Sequence, residues 1–207
     1  MLEINNLKIE WLGHASLRIK NSLTIYIDPF NITSAEPADL ILITHGHYDH
    51  CSISDIRKII RPATTLILPP DCSSKVSKLE SAKLQLITPN QRIKIGEVTI
   101  EAVSAYNMDK QFHPKINDWL GYIVDINKTR IYHAGDTDFI PEMKSIKADI
   151  AFLPVGGTYT MTAEEAAKAA NTIKPKIAVP MHYGQIVGTA ADAERFKKLC
   201  KCPVEIM

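Results

Sequence analysis

Four side chains that can bind a metal ion fall within six consecutive positions of the chain: His45, His47, Asp49 and His50. They follow an apolar run over 40–43, which predicts a buried strand. A strand that ends in a turn rich in ligands is one way for a rigid scaffold to present a metal site. Buried imidazoles and carboxylates each need a hydrogen bond or a metal. The cluster therefore predicts a metal centre rather than a solvated loop.

Three further residues that can bind a metal occur later in the chain, namely His113, Asp136 and His182, and each follows a predicted strand. Strand ends at one edge of a sheet converge, so residues distant in sequence can share one site. A second carboxylate is useful because two divalent ions ~3.5–4 Å apart repel each other, and a bridging carboxylate offsets that repulsion. Imidazole nitrogen and carboxylate oxygen without thiolate suit zinc, iron or manganese.

Most of the segments that position these residues read as strands, and the predicted helices are short and scattered. The predicted helices cover 54–60, 73–79, 140–146, 162–173 and 190–199. The predicted strands cover 8–12, 15–19, 23–28, 40–43, 64–68, 84–87, 92–95, 98–103, 120–126, 130–133, 150–155, 177–179 and 204–206. This order favours an α/β protein of the α+β kind, with two mixed sheets packed together and helices outside, over a closed eightfold barrel.

The chain has 207 residues, 45% of them hydrophobic and 23% charged, with a formal net charge of +1. This balance is typical of a globular protein, and we expect one domain over residues 1–207. The charge indicates no nucleic-acid or membrane surface, and no span or signal peptide is evident, so a cytoplasmic location is expected. The cysteine spacing suits no disulfide framework, and we expect Cys51 to be a neighbour of the site rather than a ligand.

The pattern His45-x-His47-x-Asp49-His50, followed later by Gly135-Asp136-Thr137 and His182, resembles the signature of the metallo-β-lactamase fold superfamily. The segments 11–16 and 27–29 are similar to the start of a branch of metal-dependent hydrolases related to ascorbate-6-phosphate lactonase. The resemblance covers the chain from Trp11 to His182 and implies a four-layer αββα sandwich. It is specific for the fold but weakly specific for the substrate, because the superfamily reuses one site for many hydrolyses.

The resemblance also implies a site for two metal ions, which is assembled from both halves of the chain. Its implied members are His45 and His47 for the first metal, Asp49, His50 and His182 for the second, Asp136 as the bridge, and Asp28 behind a ligand histidine.

The departure from the family pattern is the third histidine of the first metal, because positions 104–107 contain none. Three arrangements stay open: Asn107 replaces it, His113 reaches in from the following loop, or the first metal is bound more weakly. We prefer His113. The residues around it, including Lys110 and Trp119, are expected to form a solvated loop rather than a pocket for an anion.

Three residues beside these positions receive supporting roles. His14, on a turn between two strands, is expected to contact the substrate or a ligand. His133 is expected to pack beneath the turn that carries Asp136, and Asp138 to be a turn or helix-cap residue rather than a ligand.

Together these residues predict a metal-dependent hydrolase with two divalent ions, Zn²⁺ first and Mn²⁺ or Fe²⁺ as alternatives. Metal-bound water would attack an ester, lactone, amide or phosphodiester, its pKa lowered from about 15.7 towards 7. Asp49 would accept its proton, and His14 or a residue near His113 would stabilise the oxyanion or protonate the leaving group. A small-molecule ester or lactone is preferred, with no nucleic-acid or membrane partner and the oligomeric state open. An iron-dependent oxidoreductase and a non-catalytic metal-binding regulatory domain are the other hypotheses.

Overall fold

The computed structural model describes residues 1–33, 35–79 and 83–207, and the strands within them pair into two sheets. The strands of the first sheet lie in chain order: Leu2–Ile4 (β1), Leu7–Gly13 (β2), Ser16–Lys20 (β3), Thr24–Ile27 (β4), Leu40–Leu42 (β5), Thr65–Leu68 (β6) and Lys83–Leu86 (β7). Neighbours from β1 to β4 pair antiparallel, and neighbours from β4 to β7 pair parallel. The first sheet is therefore mixed.

The second sheet is also mixed. Its strands are Arg92–Ile95 (β8), Val98–Ser104 (β9), Leu120–Ile126 (β10), Thr129–His133 (β11), Ile150–Pro154 (β12) and Ile177–Met181 (β13), and they too lie in chain order. Pairing is antiparallel from β8 to β11 and parallel from β11 to β13. Asn127 and Lys128, with φ of 49° and 58°, form the tight turn of the β10–β11 hairpin. Left-handed conformations at both turn residues suit the right-handed twist of the strands.

Alternation along the central strand β5 shows how the layers are built. Leu40 and Leu42 face the core that contains residues of both sheets. Ile41 and the following Ile43 instead join a second apolar cluster with Ile56 of helix α1 (Ile53–Ile59). Because successive side chains of a strand point to opposite faces, an uninterrupted apolar run here serves two layers at once.

Two longer helices cover the second sheet. Helix α3 (Ala163–Ile173) packs on β12, and the last helix (Ala190–Leu199) packs on β13 and on α3. Thr162 begins α3 with a capping box, in which the Glu165 N–H donates to Oγ1 of Thr162 at 3.2 Å and the Thr162 N–H donates to Oε2 of Glu165 at 2.8 Å. With α1 outside the first sheet, the prediction of two mixed sheets flanked by helices is confirmed.

Several predicted boundaries are wrong. The helix predicted over 73–79 is a single α-helical turn, Ser73–Val76, which is helix α2. The last helix, Ala190–Leu199, is therefore α4. The helix predicted over 140–146 is the 3₁₀ helix Pro141–Ser145. The last predicted strand forms only an isolated bridge from Val204. Strand β13 continues through Pro180, which an edge strand tolerates because a proline lacks only one ladder donor. Among the described residues, no helix is long and apolar enough to cross a membrane.

Candidate metal centre

Sharp backbone turns at strand ends bring the predicted site residues together. His14 follows β2, Asp28 follows β4 and His182 follows β13, and all three adopt left-handed conformations with φ of 51°, 46° and 60°. Residues other than glycine rarely adopt this conformation, and such strain is concentrated at functional sites. The backbone N–H of His182 donates to the carbonyl of His14 at 2.7 Å, which joins the end of one sheet to the end of the other.

The predicted ligands, together with His14, form two groups linked by a third. The three-histidine set consists of His45, His47 and His113, and the mixed set consists of His14, Asp49, His50 and His182. His45, His50 and Asp136 form the group that links them, and within each group the possible ligand atoms lie within 4.8 Å of one another. The structure thus brings together all seven residues preferred as ligands, namely His45, His47, Asp49, His50, His113, Asp136 and His182.

The carboxylate of Asp136 lies between the two sets. Its Oδ2 atom is 3.2 Å from Nε2 of His113 and 3.1 Å from Nε2 of His182, and its Oδ1 atom is 3.3 Å from Nε2 of His50. Strand β11 delivers this residue through Gly135, where φ is 65° and an added Cβ would lie 2.4 Å from the carbonyl oxygen of Leu120. Only glycine allows so close an approach of two backbones.

Several polar atoms that face this centre have no hydrogen bond within the part of the chain that the structure describes. They are Nε2 of His50, Nε2 of His113, Nε2 of His182 and Oδ1 of Asp136. Leaving a buried polar atom without a partner costs about 1–3 kcal/mol each. Nitrogen and carboxylate oxygen converging without thiolate fit divalent zinc, manganese or iron, which would satisfy all of these atoms.

The electrostatics of the centre favour neutral imidazoles at His45 and His47 and an ionised carboxylate at Asp136, which are the forms that bind a metal. Burial and the neighbouring imidazoles lower the pKa values of His45 and His47, which keeps their lone pairs available. Burial opposes charge on His50, but the carboxylates of Asp136 and Asp28 outweigh it and raise the pKa of His50. Burial likewise opposes ionisation of Asp136, yet the facing histidines hold its pKa well below the usual range.

Asp28 fixes the orientation of His50 from behind. Its Oδ2 atom lies 2.7 Å from Nδ1 of His50 and accepts the hydroxyl of Thr44 at 2.6 Å, while Oδ1 accepts the Thr44 N–H at 2.8 Å. With Nδ1 engaged, Nε2 of His50 is the nitrogen that faces Asp136. A carboxylate behind a ligand histidine sets the tautomer and the ring orientation.

Asn107 and His113, the two candidates for the missing ligand, have different positions. The Asn107 Oδ1 atom accepts the N–H of His113 at 3.0 Å and lies 3.1 Å from its Nδ1, and the Asn107 Nδ2 atom donates to the carbonyl of Tyr159 at 2.9 Å. The imidazole of His113 therefore projects Nε2 towards Asp136, with Asn107 holding the ring from the other side. This geometry favours His113 as the ligand and Asn107 as its support.

Asp49 and His14 form a buried pair. Nε2 of His14 lies 2.8 Å from Oδ2 of Asp49. Burial opposes ionisation of Asp49, but the hydrogen bond with His14 and the charge of His50 together outweigh it and lower the pKa of Asp49 to about 2. His14 is buried, and its ring centre lies 3.9 Å from that of His182, with an angle of 42° between the ring planes. His14 does not line the pocket that lies beside the centre.

Other predicted neighbours also have defined roles. Nε2 of His133 lies 2.8 Å from the carbonyl of Ala15, and its Nδ1 accepts the Gly135 N–H at 3.2 Å, which holds the turn before Asp136. Cys51, which directly follows His50, is buried in the apolar cluster beside helix α1. The turn role expected for Asp138 is seen in part, since its carboxylate accepts the Met108 N–H at 2.8 Å and caps no helix.

The prediction of a solvated loop around His113 is right for most of its residues, since 108, 109, 111, 112, 114–116 and 118 are exposed, but it is wrong for Trp119. Trp119 is 9% exposed, and its ring centre lies 4.8 Å from that of His45, 4.9 Å from His47 and 5.5 Å from His113. Its indole N–H donates to Asp71 at 2.7 Å. Lys110 is held at 2.5 Å by Asp138. Sequence reasoning missed Trp119 as a wall of the site, although an aromatic residue just before an apolar strand was the available signal.

Beside the centre is a pocket of about 230 Å³. Five predicted ligands reach its surface, namely His47, Asp49, His113, Asp136 and His182. The four other lining residues are Tyr48, Phe112, Tyr159 and Ile186. A pocket that meets buried ligand atoms on one side and apolar side chains on the other is typical of a small-molecule site.

Comparison with known protein families decides the identity. The model of the Beta-lactamase superfamily domain matches residues 8–182. The chain belongs to this superfamily. A UPF0173 metal-dependent hydrolase from Thermoplasma acidophilum is 36% identical over 208 aligned positions, which cover 95% of this chain and 92% of that protein. The matched region contains every predicted ligand, so the superfamily assignment and the site concern the same part of the molecule.

Solved structures show the same fold. A Parabacteroides distasonis protein described as a metal-dependent hydrolase superimposes with a TM-score of 0.86 at 36% identity, covering 97% of this chain and 92% of that one. A diiron β-hydroxylase from Streptomyces venezuelae gives a TM-score of 0.77 at 13% identity, with 100% of this chain and 54% of that chain covered. The second likeness concerns the fold alone.

Proposed function

We propose that this superfamily member is a hydrolase that uses two divalent metal ions and cleaves an ester or lactone bond of a small molecule. Zinc is the preferred metal. The observation that carries the proposal is the position of Asp136, whose carboxylate faces the three-histidine set and the mixed set at once. A carboxylate shared in this way offsets the repulsion between two close cations. The relatives that are metal-dependent hydrolases support the same reaction class.

The three-histidine set would hold the first metal, and Asp49, His50 and His182 would hold the second. When bound, divalent metals would act as Lewis acids towards a carbonyl oxygen and would lower the pKa of bound water towards about 7. Within the chain, Asp49 lines the pocket as an ionised carboxylate and would accept a proton from the attacking water. His14, buried behind Asp49, would orient that carboxylate rather than contact the substrate.

The first test is reconstitution with zinc, manganese or iron, followed by assay on esters, lactones, amides and phosphodiesters. Asp136→Ala removes the shared carboxylate, so we expect the metal content to fall and hydrolysis to be lost. Asp109→Ala is the matched control, because the Asp109 side chain is 81% exposed and belongs to the same loop as His113. Wild-type activity in Asp136→Ala would overturn the site assignment.

A second variant separates the two metals. His113→Ala should weaken the first metal and leave the second in place, because His113 belongs to the three-histidine set alone. Metal analysis after dialysis against a weak chelator measures the result. Unchanged stoichiometry would show that the first metal does not use His113.

An iron-dependent oxidoreductase is the second candidate, because the same nitrogen and oxygen donors suit iron. Metal analysis and a visible spectrum after anaerobic reduction separate the two functions. A hydrolytically active zinc or manganese protein without iron would exclude the oxidoreductase. Retained metal without turnover on the whole panel would instead favour a non-catalytic metal-binding domain.

A further inference from the structure

The pocket residues that are not predicted ligands all have an aromatic ring or an aliphatic side chain. They are Tyr48, Phe112, Tyr159 and Ile186, and we call them the apolar wall. Tyr48 is 68% exposed, Phe112 47% and Ile186 40%. Large apolar side chains usually avoid water, and their concentration around a pocket marks a binding surface.

The apolar wall is fixed beside the predicted ligands. Tyr48 lies between His47 and Asp49 in the sequence, and Phe112 immediately precedes His113. The Phe112 ring meets the Tyr159 ring edge-on, with ring centres 4.7 Å apart and an interplanar angle of 89°. A group that packs against this wall would therefore hold its reacting carbonyl next to the ligand atoms.

The charge of the pocket is equally informative. Within the described ranges, neither lysine nor arginine lines it. Lys110, on the loop that carries Phe112, is bound by Asp138, and Lys75 donates to the carbonyl of Gly46. Apart from bound metal, an anionic substituent would thus lose its hydration without gaining a fixed cationic partner. The pocket therefore disfavours a charged substituent beside the scissile bond.

We propose that the site selects uncharged esters and lactones whose acyl part is a short alkyl chain or one aromatic ring, packed against the apolar wall. This inference rests on the proposed function. The water oxygen bonds to the carbonyl carbon, the carbon–oxygen ester bond breaks, and the leaving alkoxide takes the proton that the water gives up. An ester then yields an acid and an alcohol, and a lactone yields one hydroxy acid. The volume of about 230 Å³ limits the group, because sites for drug-sized ligands occupy roughly 300–1,000 Å³.

The kinetic test compares p-nitrophenyl acetate, butyrate, phenylacetate and hemisuccinate on the zinc-loaded protein. A buried methylene contributes about 0.8 kcal/mol, so kcat/KM should rise roughly two- to fourfold per methylene from acetate to butyrate. The hemisuccinate ester has a similar chain length but a carboxylate, and its kcat/KM should be at least about tenfold below that of butyrate. Equal or faster cleavage of hemisuccinate would overturn the inference.

Variants identify the wall. Phe112→Ala and Ile186→Ala should each lower the ratio of kcat/KM for butyrate to that for acetate by about threefold or more. Ile116→Ala is the matched control, since Ile116 is 89% exposed, lies in the segment that follows Phe112 and does not line the pocket. A butyrate preference that survives both wall variants would refute the role of these side chains.

A binding measurement distinguishes this inference from the proposed function. Calorimetry of the zinc-loaded protein with acetohydroxamate and benzohydroxamate should show about tenfold tighter binding of the aromatic ligand, reduced in Phe112→Ala. That preference without turnover of any ester would contradict the proposed function and leave the apolar specificity standing. Ester turnover with no preference for the aromatic ligand or the longer acyl chain would contradict the apolar specificity and leave the proposed function standing.

Discussion

Replacing Asn107 by alanine is expected to damage one metal position and spare the other. The side chain makes four contacts: Oδ1 with N and Nδ1 of His113 at 3.0 and 3.1 Å, and Nδ2 with Asp138 at 3.1 Å and the Tyr159 carbonyl at 2.9 Å. In Asn107→Ala the N–H of His113 loses its acceptor, and the imidazole loses one of two contacts that set its orientation. The other contact, Nδ1 with the Tyr159 carbonyl at 3.2 Å, remains.

Two effects of different size follow. A stranded buried N–H and the lost hydrogen bonds should lower the free energy of unfolding of the metal-free protein by about 2–3 kcal/mol. Loss of a group that supports a ligand should weaken binding at the three-histidine set about 10- to 100-fold. Affinity at the mixed set should stay within about twofold, because Asn107 contacts none of its members.

The assay is zinc competition with a chromophoric chelator, combined with urea unfolding of the metal-free protein. Asn171→Ala is the matched control, because Asn171 also makes two side-chain hydrogen bonds, with Leu199 at 3.2 Å and Lys201 at 2.7 Å, at the C-terminal ends of α3 and α4. It should lose stability and keep both zinc affinities. If Asn107→Ala binds zinc at both sets with the wild-type affinities, then His113 is not a metal ligand that Asn107 supports.

Two further predictions concern carboxylates outside the ligand sets. Asp28→Asn puts an amide beside Nδ1 of His50, so zinc should bind the mixed set about 10- to 100-fold more weakly, which the same competition assay measures. The Asp55 carboxylate accepts the N–H groups of Asn31 and Ile32 at 3.0 and 3.1 Å. Burial opposes ionisation of Asp55, but its hydrogen-bond donors, of which Lys58 has the largest effect, outweigh burial and lower its pKa. An unfolded aspartate titrates near ~3.9, so this stability is present above about pH 5 and disappears as the pH falls through the lower folded pKa. The urea midpoint of the wild type should therefore fall between pH 6 and pH 3. Asp55→Asn should have a lower midpoint at pH 6 and a smaller fall in midpoint over this pH range. An equal fall in midpoint in the two proteins would contradict this prediction.

The fold was predictable because local patterns and layer packing agree. The run from Leu40 to Ile43 is apolar at every position since alternate residues face the inter-sheet core and the layer of helix α1. The Thr162 capping box likewise fixed the start of α3. Short helices were less predictable because few residues define them, and the segment over 141–145 forms a 3₁₀ helix after Pro141.

The site was predictable where strands deliver its residues. Asp136 and His182 follow β11 and β13, and parallel pairing through β12 brings both strand ends to one edge. The sequence favoured His113 over Asn107 without deciding between them, because the choice depends on how one loop folds back on itself. In the structure, the Asn107 N–H donates to the His113 carbonyl at 2.7 Å and closes that loop. Trp119 was missed because its ring contacts join segments far apart in sequence; its carbonyl accepts the Ala105 N–H at 3.0 Å and its ring packs against His45 and His47.

The central claim is that two metal ions share Asp136. The most direct measurement is anomalous diffraction at the zinc edge from crystals of the zinc-loaded protein, supported by elemental analysis of the same sample. The account predicts two peaks per chain, one within ligand distance of the three-histidine set and one within ligand distance of Asp49, His50 and His182, with Asp136 in contact with both. A single peak, or a pair that does not share Asp136, would contradict it.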